Sequence, residues 1–322
     1  MLSPLSLHPS FGFGDRLGLA TPGHIAAVRA AGGKFAPIFA QQSVRENTRT
    51  GRTPQQVMDE AKRAVDAAGW DLAWGADADH LKTVNDLPPF VETGYTFFTV
   101  DPGEYVDNSA DTISLAQLKQ KAATFNWDEV SALYLSESAQ TWGQFDTETL
   151  MRAMVKYSNA IQHAVTMFKR LVELKDAFDF EVSVDETDSP TTALEHYFIA
   201  HELTRLGVRF TSLAPRFIGR FEKGVDYIGD LDKLDVELAK HAAVTAHFGT
   251  YKLSLHSGSD KFSVYPLVVK HWGGRIHVKT AGTSYLEALR VLAKCTPDLF
   301  LKIYELGRDR YETDKRTYHV SA

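Results

Sequence analysis

Acidic side chains lie at the ends of several apolar segments in this 322-residue sequence. Asp79 and His80 end one segment, Asp101 ends the next, and Asp185 and Glu186 end a later one. Two carboxyl groups in different environments can act as acid and base at one pH. Carboxylate oxygen with imidazole nitrogen also suits Zn, Mn, Co or Ni better than Ca. These residue types suggest a metal-assisted acid/base site, provided that the fold brings them together.

Two segments nearer the end of the chain contribute histidine and lysine. His256 ends one of them, and His277 and Lys279 lie in the next. Each residue has a structural alternative, because a single Asp can cap a helix and a single His is often a hydrogen-bonded core residue. Chance is a weaker explanation when carboxylates and imidazoles from four segments converge on one edge.

Eight short apolar or alternating segments have the character of β-strands. Most are separated by segments of helical periodicity, which parallel strands require because their connections must cross the sheet. We therefore predict an α/β fold, a (β/α)8 TIM barrel. The predicted strands are residues 34–40, 71–77, 95–101, 130–135, 178–186, 209–215, 251–257 and 274–280.

Helical periodicity is clearest after Asp146, a suitable N-cap. No repeat or linker divides the chain, so residues 1–322 are predicted to form one catalytic barrel domain. Within it, residues 1–33 form an N-terminal segment with the motif FGFGDR, and residues 297–322 a C-terminal helix and tail. The glycine spacing of that motif is not a dinucleotide fingerprint, so no nucleotide cofactor is expected. Further helices are predicted over residues 54–69, 114–124, 191–206, 231–247, 283–294 and 297–309.

Strand alternation predicts which side chains face the barrel interior. Side chains alternate between the helix layer and the interior, and active-site groups gather at the C-terminal strand ends. The apolar residues of 178–185 share one parity, which places Asp185 inside at the rim. The same rule directs these side chains inward: Lys252, Ser254, His256, His277 and Lys279.

Composition excludes some classes of function. The net charge is −6, and 35 basic residues form no patch that would bind a nucleic-acid backbone. The single Cys295 cannot form an internal disulfide. No segment approaches the ~18 apolar residues of a membrane span. We predict a cytoplasmic protein that acts on a small molecule, without membrane or nucleic-acid partners, and leave homo-oligomerisation open.

Two stretches, residues 256–261 and 279–283, combine small residues with Lys261 or Lys279. Small residues let backbone N–H groups approach an anion, and the last two strands of TIM barrels often bind phosphate or carboxylate there. These stretches favour an acidic substrate. The alternative for residues 256–261 is a tight turn that caps the next helix.

Several stretches together resemble the tagaturonate/fructuronate epimerase family of metal-dependent sugar-acid epimerases. They run through most of the chain in a fixed order. Family members are longer than this sequence. The matching stretches are SFGFGDR (10–16), TPGH (21–24), ADHLK (78–82), residues 95–101, VDET (184–187), KGVDYIGD (223–230), residues 256–262 and residues 279–283.

The resemblance implies interconversion of D-tagaturonate and D-fructuronate, or of the ketohexoses tagatose and fructose, with a bound divalent metal. The inverted carbon lies β to the ketone, so its C–H bond is not acidified. Inversion therefore needs either removal of a hydride or cleavage and re-formation of a C–C bond. Because no nicotinamide fingerprint is present, we expect a retro-aldol route, with the metal as Lewis acid.

On this reading, Asp101 and Glu186 are the catalytic acid/base pair. The metal ligands are expected to be His256 and Glu222, with His277 or Asp185 as the third. The residues expected to bind substrate are Asp79, His80, Arg216, Ser257, Asp260, Lys261 and Lys279.

Two other functions fit the same residues. A class II-type metal-dependent aldolase or a ketose isomerase would use the same barrel rim, and an aldolase would release two fragments where an epimerase keeps six carbons. A catalytically inactive sugar-acid-binding protein would bind without turnover. Recognition alone seldom needs so many inward carboxylates, which favours an enzyme.

Overall fold

Eight parallel strands close into a barrel in the computed structural model, which describes residues 1–136 and 143–317. The first strand pairs with both the second and the eighth, which completes the ring. The predicted TIM barrel is confirmed. The strands are β1 Ser10–Gly12, β2 Ala36–Ser43, β3 Gly75–Leu81, β4 Phe97–Val100, β5 Asp179–Val184, β6 Ser212–Pro215, β7 Lys252–Leu255 and β8 Ile276–Lys279.

The helices surround the barrel and include all of those predicted from periodicity. Asp146 caps its helix as expected, accepting a hydrogen bond from the Thr149 backbone N–H at 2.7 Å. The helices are α1 Thr21–Ala30, α2 Val44–Thr50, α3 Pro54–Ala67, α4 Leu87–Thr93, α5 Leu115–Ala122, α6 Trp127–Leu135, α7 Thr147–Leu174, α8 Ala193–Arg205, α9 Leu231–Phe248, α10 Tyr265–Trp272, α11 Tyr285–Cys295 and α12 Pro297–Asp314.

One predicted strand, residues 130–135, is wrong, because this segment belongs to α6. Val130 and Tyr134, four residues apart, are its buried side chains, so it has one buried helical face rather than a strand's alternation. Asp128 and Glu129 lie in its first turn, where carboxylates favour a helix N-terminus.

The strand that takes its place is β1, which lies inside the glycine-rich motif of the predicted N-terminal segment. This strand has three residues and ends at Gly12. A Cβ at Gly12 would lie 1.7 Å from Oε1 of Gln41, so any larger residue there would require the Gln41 side chain to move. A short strand that contains glycine carries neither the length nor the apolar pattern by which strands are recognised.

The strand predicted at 71–77 is displaced toward the C-terminus, to Gly75–Leu81. Trp74 receives a backbone hydrogen bond from Ser3 and donates one to Met1, each at 3.1 Å. These bonds tie the preceding residues to the N-terminus of the chain. The barrel strand consequently begins at Gly75 and continues through Asp79 and His80.

The two faces of the barrel strands differ sharply in chemistry. Phe180, Val182 and Val184 of β5 face the helices and join a large apolar core that includes Phe168 of α7. Apart from a small cluster that includes Ile38 and Phe97, the interior is instead polar and charged, whereas TIM barrels usually fill it with branched apolar residues. Buried interior side chains include Asp77, Thr99, Glu181, Lys252, Ser254, His277 and Lys279.

The C-terminal helices α11 and α12 contribute no buried residue in the described part of the chain. Leu301 and Leu306 of α12 are more than half exposed. None of the described helices combines the length and apolarity needed to cross a membrane.

A buried hydrogen-bonded chain joins α8 and α9 to the start of β7. Nδ1 of His196 lies 2.9 Å from Nδ1 of His241, and Nε2 of His196 lies 2.7 Å from the Tyr251 hydroxyl. If Tyr251 donates to His196 and His196 donates to His241, both imidazoles are neutral and every bond is satisfied. Burial lowers the pKa of both histidines, that of His241 to about 4.

We expect this pair to make the fold sensitive to acid. The histidines bind protons more weakly in the folded state, so their contribution is fully present above pH 6.5 and falls as the pH drops toward 4. Each would remove about 1.4 kcal/mol of the free energy of unfolding per pH unit in that range. The free energy of unfolding, measured with urea at pH 7.5 and at pH 5, should fall less between these two pH values in His241→Gln than in the wild type. The exposed His8→Gln variant should keep the wild-type decrease, and an unchanged decrease in His241→Gln would contradict the assignment.

Candidate active site

The interior of the barrel is organised by one ammonium group, Nζ of Lys279 at the end of β8. It lies 2.9 Å from Asp77, 2.8 Å from Asp79 and 3.1 Å from Glu181, measured to carboxylate oxygens. It also donates to the hydroxyl of Thr99. Burial disfavours the charged form, but the three carboxylates outweigh it and raise the pKa of Lys279 well above its usual value. Lys279, Asp77, Asp79 and Glu181 are called the lysine–carboxylate cluster below.

Two carboxylates of this cluster hold imidazoles at the barrel rim. Oδ1 of Asp79 lies 2.6 Å from Nδ1 of His80, and Oε1 of Glu181 lies 2.7 Å from Nε2 of His256. Burial lowers the pKa of His80, but Asp79 more than compensates and raises it to about 9. The pKa of His256 rises to about 10 against the same effect of burial, mainly because of Asp185.

These two imidazoles and Asp185 form a compact group that we call the ligand group. One potential ligand atom of each residue lies within 4.8 Å of the others. Nδ1 of His256 is 3.2 Å from Oδ1 of Asp185, so the nitrogen not bonded to Glu181 faces this carboxylate. In His80, Nε2 is the nitrogen not engaged by Asp79. His80 also adopts a left-handed backbone conformation, with φ of 55°, of the kind often found at functional sites.

The ligand group opens into a cavity of about 570 Å³, which includes its open mouth. Glu186 lines this cavity beside Asp185. A second cavity adjoins it and shares Asp185, Glu186 and His256. The first cavity therefore combines possible metal ligands with a carboxylate that could transfer a proton.

Many of the residues predicted from the sequence come together here. The structure brings seven of them to the first cavity: Asp79, His80, Asp185, Glu186, His256, Ser257 and Lys279.

Two predicted residues from the barrel strands and their ends, His277 and Asp101, do not line the first cavity. Nδ1 of His277 is 2.9 Å from the hydroxyl of Ser10, and its ring packs against Phe97 with centroids 5.0 Å apart. Burial lowers its pKa to about 3. Asp101 lies near His80, but its Oδ1 accepts a hydrogen bond from the Gly103 backbone N–H at 2.9 Å.

The remaining predicted residues lie in the loops after β6 and β7. Glu222 and Arg216 line the second cavity. Nζ of Lys261 donates to the backbone carbonyl groups of Glu222, Val225 and Ser259 at 2.6, 2.6 and 2.9 Å. Lys261 is thus fully buried and ties the two loops together. Asp260 accepts a hydrogen bond from the Thr283 hydroxyl at 3.1 Å, which links its loop to the one after β8.

Sequence reasoning missed several residues of the site, among them Glu181, Asp77, Arg16 and Arg45. Glu181 shares the inward parity of Asp185, so the alternation rule already contained it. Asp77 precedes Asp79 by two residues in β3 and follows the same rule. Arg16 and Arg45 lie in a loop and at a helix start, where alternation gives no signal.

Comparison with known proteins agrees with these motifs. A family model described as tagaturonate epimerase matches residues 2–322. The chain belongs to the tagaturonate epimerase family. The resemblance predicted from its motifs is confirmed. A curated member, the tagaturonate/fructuronate epimerase of Thermotoga maritima, is 46% identical over 319 residues, which are 98% of this chain and 66% of that protein. The chain thus spans slightly less than two thirds of the length of this relative.

Solved structures of this epimerase family are similar to the chain throughout. The glycerol-complexed fructuronate-tagaturonate epimerase UxaE from Cohnella laeviribosi has a TM-score of 0.94 at 41% identity, over 100% of this chain and 67% of that one. The YdjI aldolase from Escherichia coli has a TM-score of 0.52 at 10% identity, over 92% and 88% of the two chains. At that identity the likeness to the aldolase concerns the fold alone.

The lysine–carboxylate cluster predicts a large stability effect for Lys279. We expect Lys279→Met to lower the free energy of unfolding by about 3–5 kcal/mol, because three buried carboxylates would lose their counter-charge. Urea denaturation measures the change. Lys270→Met is the control, since Lys270 is exposed and pairs with Asp235 at the surface, where such pairs contribute about 1 kcal/mol or less. Equal losses in the two variants would show that the cluster does not stabilise the barrel.

Proposed function

We propose that this chain is a divalent-metal-dependent epimerase that interconverts D-tagaturonate and D-fructuronate. The observation that carries the proposal is the ligand group, His80, Asp185 and His256, at the strand ends of a tagaturonate epimerase family member. The name of the relative from Thermotoga maritima supports the choice of substrates.

The chemistry of the ligand group fits a divalent metal. Two imidazoles and one carboxylate suit Zn, Mn, Co or Ni. Each imidazole is backed by a buried carboxylate, Asp79 behind His80 and Glu181 behind His256, and such partners fix the orientation of metal-binding histidines. The buried carboxylates of Asp77, Asp79 and Glu181 outnumber Lys279 beside the ligand group, which favours a bound cation there. When bound, the metal would act as a Lewis acid toward the ketone and the negative charge that develops beside it.

This ligand set changes the one expected from the sequence. The proposed metal ligands are His80, His256 and Asp185. His80 thus replaces Glu222 and His277 of the predicted set, whereas His256 and Asp185 were predicted as ligands. Glu222 and His277 are not part of the group found among the described residues. Asp79 accordingly orients His80 instead of binding substrate.

We assign the proton transfer to Glu186, which lines the cavity next to Asp185. Glu186 accepts the proton of the carbinol hydroxyl, and the bond between that carbon and the carbon beside the ketone breaks. The electron pair stays on the ketone side, and the carbinol carbon becomes an aldehyde. After the aldehyde turns, the same carbon bond re-forms on its opposite face and the oxygen regains a proton. Atoms and charge balance without an external oxidant.

Asp101 stays a predicted second member of the acid/base pair. It lies close enough to His80 to affect the pKa of that histidine, and Nζ of Lys82 is 3.8 Å from its Oδ2. If Asp101 acts through His80 rather than on the substrate, Asp101→Asn should weaken metal binding. If it transfers a proton itself, metal content stays normal while kcat falls.

The first test is metal content together with product analysis. The purified chain is stripped of metal, reconstituted separately with Zn, Mn, Co or Ni, and incubated with tagaturonate. NMR should show fructuronate only after reconstitution, with all six carbons retained. Release of two fragments would identify an aldolase instead. Binding of tagaturonate without turnover under every metal would identify a binding protein.

A set of matched variants separates metal ligands from the proton-transfer group. His80→Gln and His256→Gln should each lose bound metal, whereas Glu222→Gln and His277→Gln should retain it. Glu186→Gln should retain metal and lose kcat by about 10²- to 10⁴-fold, because general acid/base groups contribute that much. Metal loss in Glu222→Gln but not in His80→Gln would restore the ligand set expected from the sequence.

A further inference from the structure

We propose that Arg16, Arg45 and Lys223 bind the carboxylate of the sugar acid and select it over a neutral ketose. These three side chains are called the cationic wall. The inference rests on the proposed epimerase function and specifies how the same cavity recognises its substrate. No role was expected for these residues from the sequence.

The cationic wall comes from three separate segments of the chain that meet at one cavity. Arg16 follows β1, Arg45 lies in the first turn of α2 after β2, and Lys223 lies in the loop after β6. All three line the first cavity together with the ligand group. The pKa of Lys223 is lowered, first by burial and then by Arg45 and Arg16, which agrees with their proximity.

The position of Arg16 is fixed by its own motif. The carboxylate of Asp15 accepts backbone N–H groups of Gly18 at 2.8 Å and Ala20 at 2.7 Å, which folds the loop after β1. Nε of Arg16 donates to the Ala281 carbonyl at 2.8 Å. These contacts hold the guanidinium of Arg16 at the cavity in one conformation, which lowers the entropy lost when an anion binds there.

Glu46 of α2 forms ion pairs with the arginine residues of this region. Its buried carboxylate lies 3.2 Å from Arg16, 4.0 Å from Arg45 and 2.7 Å from Arg49, so it already neutralises part of the charge of the cationic wall. Arg16 and Arg45 present planar guanidinium groups that can bind a carboxylate through two parallel hydrogen bonds, and Lys223 adds a point charge. The arrangement suits one planar anionic group.

Two further cations, Lys279 and Lys261, are deeply buried among their own partners. Lys279 pairs with Asp77, Asp79 and Glu181, and Lys261 donates to three backbone carbonyl groups. Neither can turn to a substrate without breaking these buried contacts. A ketouronate carries its ketone and its carboxylate at opposite ends, so the ligand group and the cationic wall can hold one end each.

The test compares tagaturonate with tagatose, which has a CH2OH group in place of the carboxylate. Arg16→Gln, Arg45→Gln and Lys223→Gln should each lower kcat/KM for tagaturonate about 10- to 100-fold, the usual effect of losing a charge-assisted hydrogen bond. Their kcat/KM for tagatose should stay within about threefold of the wild type. Arg49→Gln is the matched control, since Arg49 also pairs with Glu46 but does not line the cavity, and its substrate preference should not change.

A binding measurement keeps this inference separate from the proposed activity. Calorimetry compares D-gluconate, a six-carbon sugar acid, with D-glucitol, its neutral analogue. The wild type and Arg49→Gln should bind the acid more tightly, and variants of the cationic wall should lose this preference. If the wild type shows the preference but converts no substrate, the epimerase function fails and the inference holds. The inference is overturned if variants of the cationic wall lose activity equally on tagaturonate and tagatose, or if they still bind gluconate more tightly than glucitol.

Discussion

The ion pairing of Lys279 is the constraint on which the remainder of the site depends. A barrel interior that contains Asp77, Asp79 and Glu181 would be strongly destabilised without a buried counter-charge. The same carboxylates hold His80 and His256, so stabilisation of the core and orientation of the imidazoles come from one set of contacts. Because the strands β3, β5 and β8 supply these groups, closure of the barrel is itself a requirement for the site.

The fold was largely predictable because strand and helix periodicities differ. The long helix α7 and the inward parity of Asp185, His256 and Lys279 follow directly from spacing. The first strand did not, because β1 has only three residues, and the approach of Gln41 to Gly12 is a contact between distant parts of the chain that no local pattern encodes. The strand predicted over residues 130–135 was wrong for another reason. A short apolar run fits either a strand or a helix until its packing partners are known, and this run lies in α6.

The candidate site was predictable as a set of inward residues but not as a set of contacts. Parity places Lys279 at the cavity, and the small-residue stretch 256–261 suggested an anion site at Lys261. Neither pattern shows that Lys261 is surrounded by carbonyl groups and Lys279 by carboxylates. Spacing likewise cannot distinguish His80, at the rim, from His277, which bonds to Ser10 deeper in the barrel. These distinctions depend on strand register and loop conformation, which are long-range properties.

The first cavity is lined both by the carboxylates of Asp185 and Glu186 and by the cations of Arg16, Arg45 and Lys223, and in the proposed function these groups together constrain the substrate's orientation. In the proposed function, a metal held by the ligand group would attract the ketone end of the substrate, and Arg16, Arg45 and Lys223 would attract its carboxylate. A molecule with a carboxylate at one end and a ketone at the other therefore has one favourable orientation in the cavity. Under the proposed mechanism, the same arrangement would hold a charged aldehyde fragment by its carboxylate while its reacting end turns, as inversion by carbon–carbon cleavage requires.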